Sequence, residues 1–164
     1  MNDLKLFRAL SKNDFEYVRE YVEEGGDINI VHPENLLSPL MFAALYDVNE
    51  TYIFRFLLAN GANPSYEFGK KSLLAYILSN PNASLALLKS LHDYSFRLSQ
   101  DEVNLNLGPI VFHADVGVLA FFIDHKYIDP NKVFSNGKTL LDLQIKLNPL
   151  PSHINLLKSY IKES

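Results

Sequence analysis

The sequence predicts an all-α solenoid of about five helix-turn-helix units joined by finger loops, in a single domain over residues 1–164. Three observations carry this. The stretch Ser38-Pro39-Leu40-Met41-Phe42-Ala43-Ala44 starts a helix: Ser38 can accept from a free N–H of the first turn, and Pro39 fits the first helical position, where no N–H is needed. The stretch Phe56-Leu57-Leu58-Ala59-Asn60-Gly61-Ala62-Asn63 ends one, with Gly61 suited to the left-handed residue after a helix. The pattern also recurs: the equivalent apolar residues Leu6, Leu40, Leu74, Ile110 and Leu141 stand 34, 34, 36 and 31 residues apart. A helix pair of this size cannot bury its own apolar face and needs neighbours.

The expected repeats are 3–33, 34–67, 68–103, 104–134 and 135–164, with first helices over 4–10, 39–45, 72–78, 109–115 and 140–147. In the first unit Asn13-Asp14 is the turn. The second helix, over 15–24, has Phe15, Val18 and Val22 on one face and Glu16, Arg19, Glu20 and Glu23 on the other. Gly25 closes it, and residues 30–37 form the first finger. The second unit has a long mid-turn over 46–51, followed by a finger over 63–69 carrying Tyr66 and Phe68. The third pairs 72–78 with 84–92 and lacks its closing glycine, since Tyr94-Ser95-Phe96 stands there. A polar loop over 97–106 leads to the fourth unit, Gly108-Pro109-Ile110 and then a helix over 118–125. The fifth begins at Gly137. Pro149 and Pro151 mark its turn, because proline is excluded from helix interiors, and Ile154, Leu157 and Ile161 form the inner stripe of its last helix.

These units resemble the ankyrin-repeat family, whose pattern is roughly Gly-x-Thr-Pro-Leu-His-x-Ala-Ala and then Leu-Leu-x-x-Gly-Ala-Asp-x-Asn at a period of 33. Leu6-Phe7-Arg8-Ala9, Gly25-Gly26-Asp27-Ile28-Asn29 and Gly137-Lys138-Thr139-Leu140-Leu141-Asp142 carry the resemblance beside the second unit. The chain departs from it where the family has histidine: Phe7, Met41, Ala75, Val111 and Asp142 stand there. The histidine hydrogen-bond network must be absent or replaced.

Composition excludes several functions. A net charge of −4 gives no basic groove for nucleic acid and no general pull toward anionic membrane. With no cysteine, disulfides, thiolate zinc sites and cysteine nucleophiles are removed together, which suits a reducing cytosol. The charged N-terminus lacks the apolar run of a signal peptide. The longest charge-free stretch, 72–88, is broken by Asn80-Pro81-Asn82, whereas a bilayer span needs about 20 apolar residues. No phosphate loop, Gly-x-Ser-x-Gly elbow or His-Glu-x-x-His motif is present. His113 with Asp115, beside the 97–115 loop, Asp124 with His125, and His92 with Asp93 are the histidine pairs to weigh as acid–base or metal groups. Residues two apart share no helix face, so the five histidines read as turn and surface residues, and neither metal nor cofactor is expected.

The resemblance implies a non-catalytic intracellular binding module, an adaptor or inhibitor that is monomeric when unbound and grips another protein with its concave finger and inner-helix surface. Mapping the family's exposed positions onto this chain gives Tyr46, Tyr66, Phe68, Lys70, Lys71, Asn80, Asp115 and Lys138 as partner-binding residues. Tyrosine, phenylalanine and cations suit interface anchors. The alternatives are an immunity or antitoxin protein blocking a partner enzyme, and an enzyme with a site near 97–115. Richness in Asn, Lys, Ile, Phe and Tyr is that of an AT-rich genome. With the resemblance, it raises the expectation of a cytoplasmic protein or of an effector delivered into a host cell.

Overall fold

A computed structural model describes residues 3–47, 51–67, 72–82 and 84–161, with His113 by its backbone alone. Among them the fold is all-helical, the nearest thing to a sheet being an isolated bridge between Val133 and Thr139. The chain divides into two compact units, Met1–Leu98 and Ser99–Ser164.

The first unit holds three helical hairpins: α1 (Asp3–Ser11) with α2 (Phe15–Glu23), α3 (Pro39–Tyr46) with α4 (Tyr52–Ala59), and α5 (Leu73–Leu78) with α6 (Ser84–Asp93). They stack in two rows. One row packs α1 on α3 and α3 on α5; the other packs α2 on α4 and α4 on α6. The start of α3 is as expected, Ser38 Oγ accepting from Met41 N–H at 3.3 Å and Pro39 opening the helix. Flanked by helices on both sides, α3 buries Pro39 through Ala44 without a break. In α2 the buried positions are Val18 and Tyr21, with Val22 only half-buried, so the inward stripe runs through Tyr21 rather than Val22.

The second unit contains α7 (Gln100–Leu105), a single-turn π-helix (Pro109–His113), α8 (Val116–Asp124), α9 (Leu140–Leu147) and α10 (Pro151–Tyr160). The expected loop over 97–106 is therefore partly helix, capped by Ser99 Oγ on Glu102 N–H at 3.1 Å. The expected α-helix over 109–115 is the π-helix, closed by Ala114 N–H on Pro109 C=O at 2.9 Å. Its interior pair Ile110-Val111 is β-branched and fully buried, and such residues resist helical χ1 crowding. By contrast α9 has the expected bounds, fixed by a reciprocal capping box between Thr139 and Asp142.

Helix ends repeat across both units. The four helices α2, α4, α6 and α8 close on a left-handed residue, Gly25, Gly61, Ser95 and Lys126 in turn. Each time the next amide bonds back to the helix: Gly26 to Tyr21 C=O at 2.9 Å, Ala62 to Leu57 at 2.9 Å, Phe96 to Leu91 at 3.1 Å and Tyr127 to Phe122 at 2.9 Å. This Schellman closure satisfies carbonyls that a helix end leaves orphaned. Ser95 supplies the conformation where the glycine is missing. At Gly26 a Cβ would stand 2.3 Å from the Tyr21 ring, so glycine is required there for close approach.

Candidate partner-binding surface

In the first unit a chain of rings joins the finger over 30–37 to α3, with Phe7 and Phe42 buried beneath it, His32 half-buried and Tyr46 exposed at its end. Phe7 from α1 meets the His32 ring edge-on at 4.8 Å and the Phe42 ring at 4.9 Å. His32 stacks on Phe42 at 5.5 Å, and Phe42 leads to Tyr46 at 5.7 Å. His32 is fixed by its own loop, Nδ1 accepting from Glu34 N–H at 3.3 Å. Of the residues Phe7, Met41, Ala75, Val111 and Asp142, Phe7 belongs to this ring cluster.

The surface continues into the next finger. Tyr66 Oη donates to Leu36 C=O at 2.9 Å, which links the two fingers. Asn29 joins them at their bases, Nδ2 donating to Gly61 C=O at 3.2 Å and Oδ1 accepting from Asn63 N–H at 2.8 Å. On this scaffold Val31 at 38%, Leu36 at 37% and Tyr46 at 45% remain exposed. Tyr76 on α5 is half-buried, and burial, with the nearby Tyr66 second, raises its pKa. Exposed apolar groups held by a rigid frame are what a partner can cover at little ordering cost.

The residues named from sequence fall into several places. Tyr46 and Tyr66 belong to this connected surface. Phe68, Lys70 and Lys71 lie outside the described residues. Asn80 corrects the expectation: it is 4% exposed and acts inside the stack. Its Nδ2 donates to Ala44 C=O at 2.9 Å and Asp47 C=O at 3.0 Å, satisfying the end of α3. Asn13 does the same from the first hairpin, donating to Tyr46 C=O at 2.7 Å. Asp115 and Lys138 are exposed residues of the second unit. Asp115 is the N-cap of α8, accepting from Gly117 N–H at 2.7 Å.

The histidines also depart from the surface reading in one case. His153 is buried, with Nε2 3.1 Å from Ala114 C=O. His125 stacks on Phe121 at 4.1 Å, with Nδ1 2.8 Å from the Phe121 carbonyl. Among the described residues no group of three metal-ligating side chains comes together, and no helix is long and apolar enough to cross a membrane. Sequence reasoning missed His32, Val31 and Leu36. The signal available was the run Ile30-Val31-His32, too apolar for an idle loop.

Compared with known protein families the chain matches no family model, and no curated protein matches it.

Proposed function

We propose that the protein is a non-catalytic binding module of the ankyrin-repeat kind, which holds another protein against the finger and inner-helix surface of its first unit. The observation that carries this reading is the exposure of Val31, Leu36 and Tyr46 on a frame locked by Tyr66, Asn29 and the Phe7–His32–Phe42 cluster. The recurrence of helical hairpins with one closing motif supports the repeat assignment. The commitment of Asp115 to a helix cap, and of His125 and His153 to backbone carbonyls, favours binding over catalysis.

The test is capture of partners from native lysate and from candidate host lysate, followed by affinity measurement with Tyr46→Ala/Leu36→Ser. Anchors of this type carry about 2 kcal/mol or more each, so losing both should lower affinity by several hundredfold, roughly, while the melting temperature holds. A drop below about threefold, with the fold intact, would place the partner on another face.

A further inference from the structure

The finger over 30–37 carries two of the exposed anchors, Val31 and Leu36, and a half-buried imidazole stands at its base. His32 Nδ1 accepts from Glu34 N–H at 3.3 Å and from Asn35 N–H at 3.5 Å. An imidazole nitrogen that accepts carries no proton, so the His32 ring is neutral here with its proton on Nε2. Further bonds close the loop: His32 N–H donates to Leu37 C=O at 3.0 Å, Leu36 N–H to His32 C=O at 2.9 Å and Leu37 N–H to Asn35 Oδ1 at 3.2 Å.

A proton on Nδ1 turns that acceptor into a donor aimed at two backbone N–H groups, and both bonds are lost. The surroundings give the charged ring no other acceptor. From α1 it meets the Phe7 ring at 4.8 Å, and from α3 the Phe42 ring at 5.5 Å. The charged side chains of α1 are Asp3, Lys5 and Arg8, and Asp3 Oδ1 is taken by Tyr21 Oη at 3.0 Å. α3 has no charged side chain, and its one titratable group, Tyr46, packs on Phe42. The next finger brings Tyr66, whose Oη is on Leu36 C=O, and Glu67. Among the described residues no carboxylate, Glu34 of the same finger included, is within ion-pair distance of His32.

The finger is also strained. Leu36 sits at φ +58, a left-handed conformation disfavoured by the clash of Cβ with the following carbonyl. Such strain persists only while the surrounding bonds hold it. Losing the two bonds at Nδ1 lets Leu36 relax, and Leu36 with Val31 then leaves the position in which it meets a partner.

We infer that His32 is a proton switch in the binding surface: the neutral ring closes the finger, and the charged ring opens it and releases the partner. This switch rests on the binding-module reading and adds its regulation. Proton uptake favours the open finger. The grip is therefore complete while the ring is neutral and is lost as pH falls through the range in which histidines charge, about pH 8 to 5. One proton can change affinity by no more than about tenfold per pH unit.

The test is an NMR titration of the ¹⁵N-labelled full chain from about pH 7.5 to 5.5, beside His32→Asn. Asparagine Oδ1 can accept the same two backbone bonds but does not titrate. At the upper pH the His32 ring should show an unprotonated Nδ1. On acidification the Glu34 and Asn35 amides should shift in step with the ring, with Leu36 and Leu37 following. In His32→Asn these amides should stay in place and the melting temperature should hold. A proton on Nδ1 at the upper pH, or Glu34 and Asn35 amides that ignore the ring, would overturn the switch. A partner captured through Tyr46 and Leu36 should bind about tenfold more weakly at the lower pH, and His32→Asn should lose less than about threefold, since the partner's own titration is common to both chains. Equal pH dependence in the two chains keeps the binding-module reading and refutes the switch. Amides that follow the ring in a chain that captures nothing through Tyr46 and Leu36 refute the binding-module reading, and with it the release, but not the opening of the finger.

Discussion

Helices α2, α4 and α6 of the first unit and α8 of the second close alike, whereas the chain starts at Pro39 and at Pro109 lead to different helices. In the first unit Ser38-Pro39 is followed by Leu40-Met41-Phe42-Ala43-Ala44, and a regular helix forms, its small alanines letting α1 and α5 approach on both sides. In the second unit Gly108-Pro109 is followed by Ile110-Val111, and a π-turn forms. Both pairs of residues are buried, so burial is not the difference. Side-chain shape at the second and third helical positions differs, unbranched at Cβ in Leu40-Met41 and β-branched in Ile110-Val111. Closing motifs depend on one left-handed residue and two backbone bonds, and they persist through Gly25, Gly61, Ser95 and Lys126 alike.

The largest expected effect is in the regular stack. Phe54 on α4 is fully buried, and Phe54→Ala should lower stability by about 3–5 kcal/mol in chemical denaturation. Next come the two asparagines that satisfy helix ends. Asn80 is buried and bonds the carbonyls of Ala44, Leu45 and Asp47, while Asn148 is half-buried, donating to Phe112 C=O at 2.6 Å. Asn80→Ala should cost about 2–4 kcal/mol and Asn148→Ala about 1 kcal/mol. Equal losses would mean that the two units depend on these caps to the same degree.

The closing residues sharpen the comparison with changes of opposite sign. Gly61→Ala, at φ +89, should destabilise by about 1 kcal/mol, and Lys126→Gly should stabilise by up to about 1 kcal/mol. Thermal melts of the two variants measure both.

The smallest effects are in pH dependence, at opposite ends of the scale. Burial of Tyr21, with the Asp3 hydrogen bond second, pushes its phenol up to about 12. A raised pKa gives stability that is complete below the ordinary value of 10.0 and is lost as pH climbs toward 12. Tyr21→Phe should flatten that alkaline loss. In the second unit the Thr139 backbone N–H holds the Asp142 carboxyl below its ordinary 3.8. A lowered pKa gives stability that is present above that value and is lost as pH falls below it, and Asp142→Asn should remove this acid dependence.

Helix starts and stops were legible where a cap is local. Ser38-Pro39 located α3, and the repeat beginning at Gly137 located α9, whose capping box of Thr139 with Asp142 was a local signal that went unused. The start of α7 carried such a signal, Ser99 followed three residues later by Glu102, but Gln100-Asp101-Glu102 reads as a polar loop when only hydrophobic periodicity is counted. Long-range partners were not legible. Asn80 sits in an Asn-Pro turn that suggests exposure, and only the neighbouring helix end, 36 residues away, makes it a buried donor. At the surface Tyr46 was legible from repeat spacing. His32, Val31 and Leu36 were not, because their exposure depends on the fold of the finger, where Leu36 takes φ +58.

Hydrogen exchange of the protein alone, resolved to single amides, tests most directly whether one closing motif recurs in both units. The amides of Gly26, Ala62, Phe96 and Tyr127 each donate to a helix carbonyl, so all four should exchange at least about a hundredfold more slowly than in an unfolded chain. Free exchange at Phe96 and Tyr127, with protection only at Gly26 and Ala62, would contradict the account and confine the motif to its glycine-bearing helices.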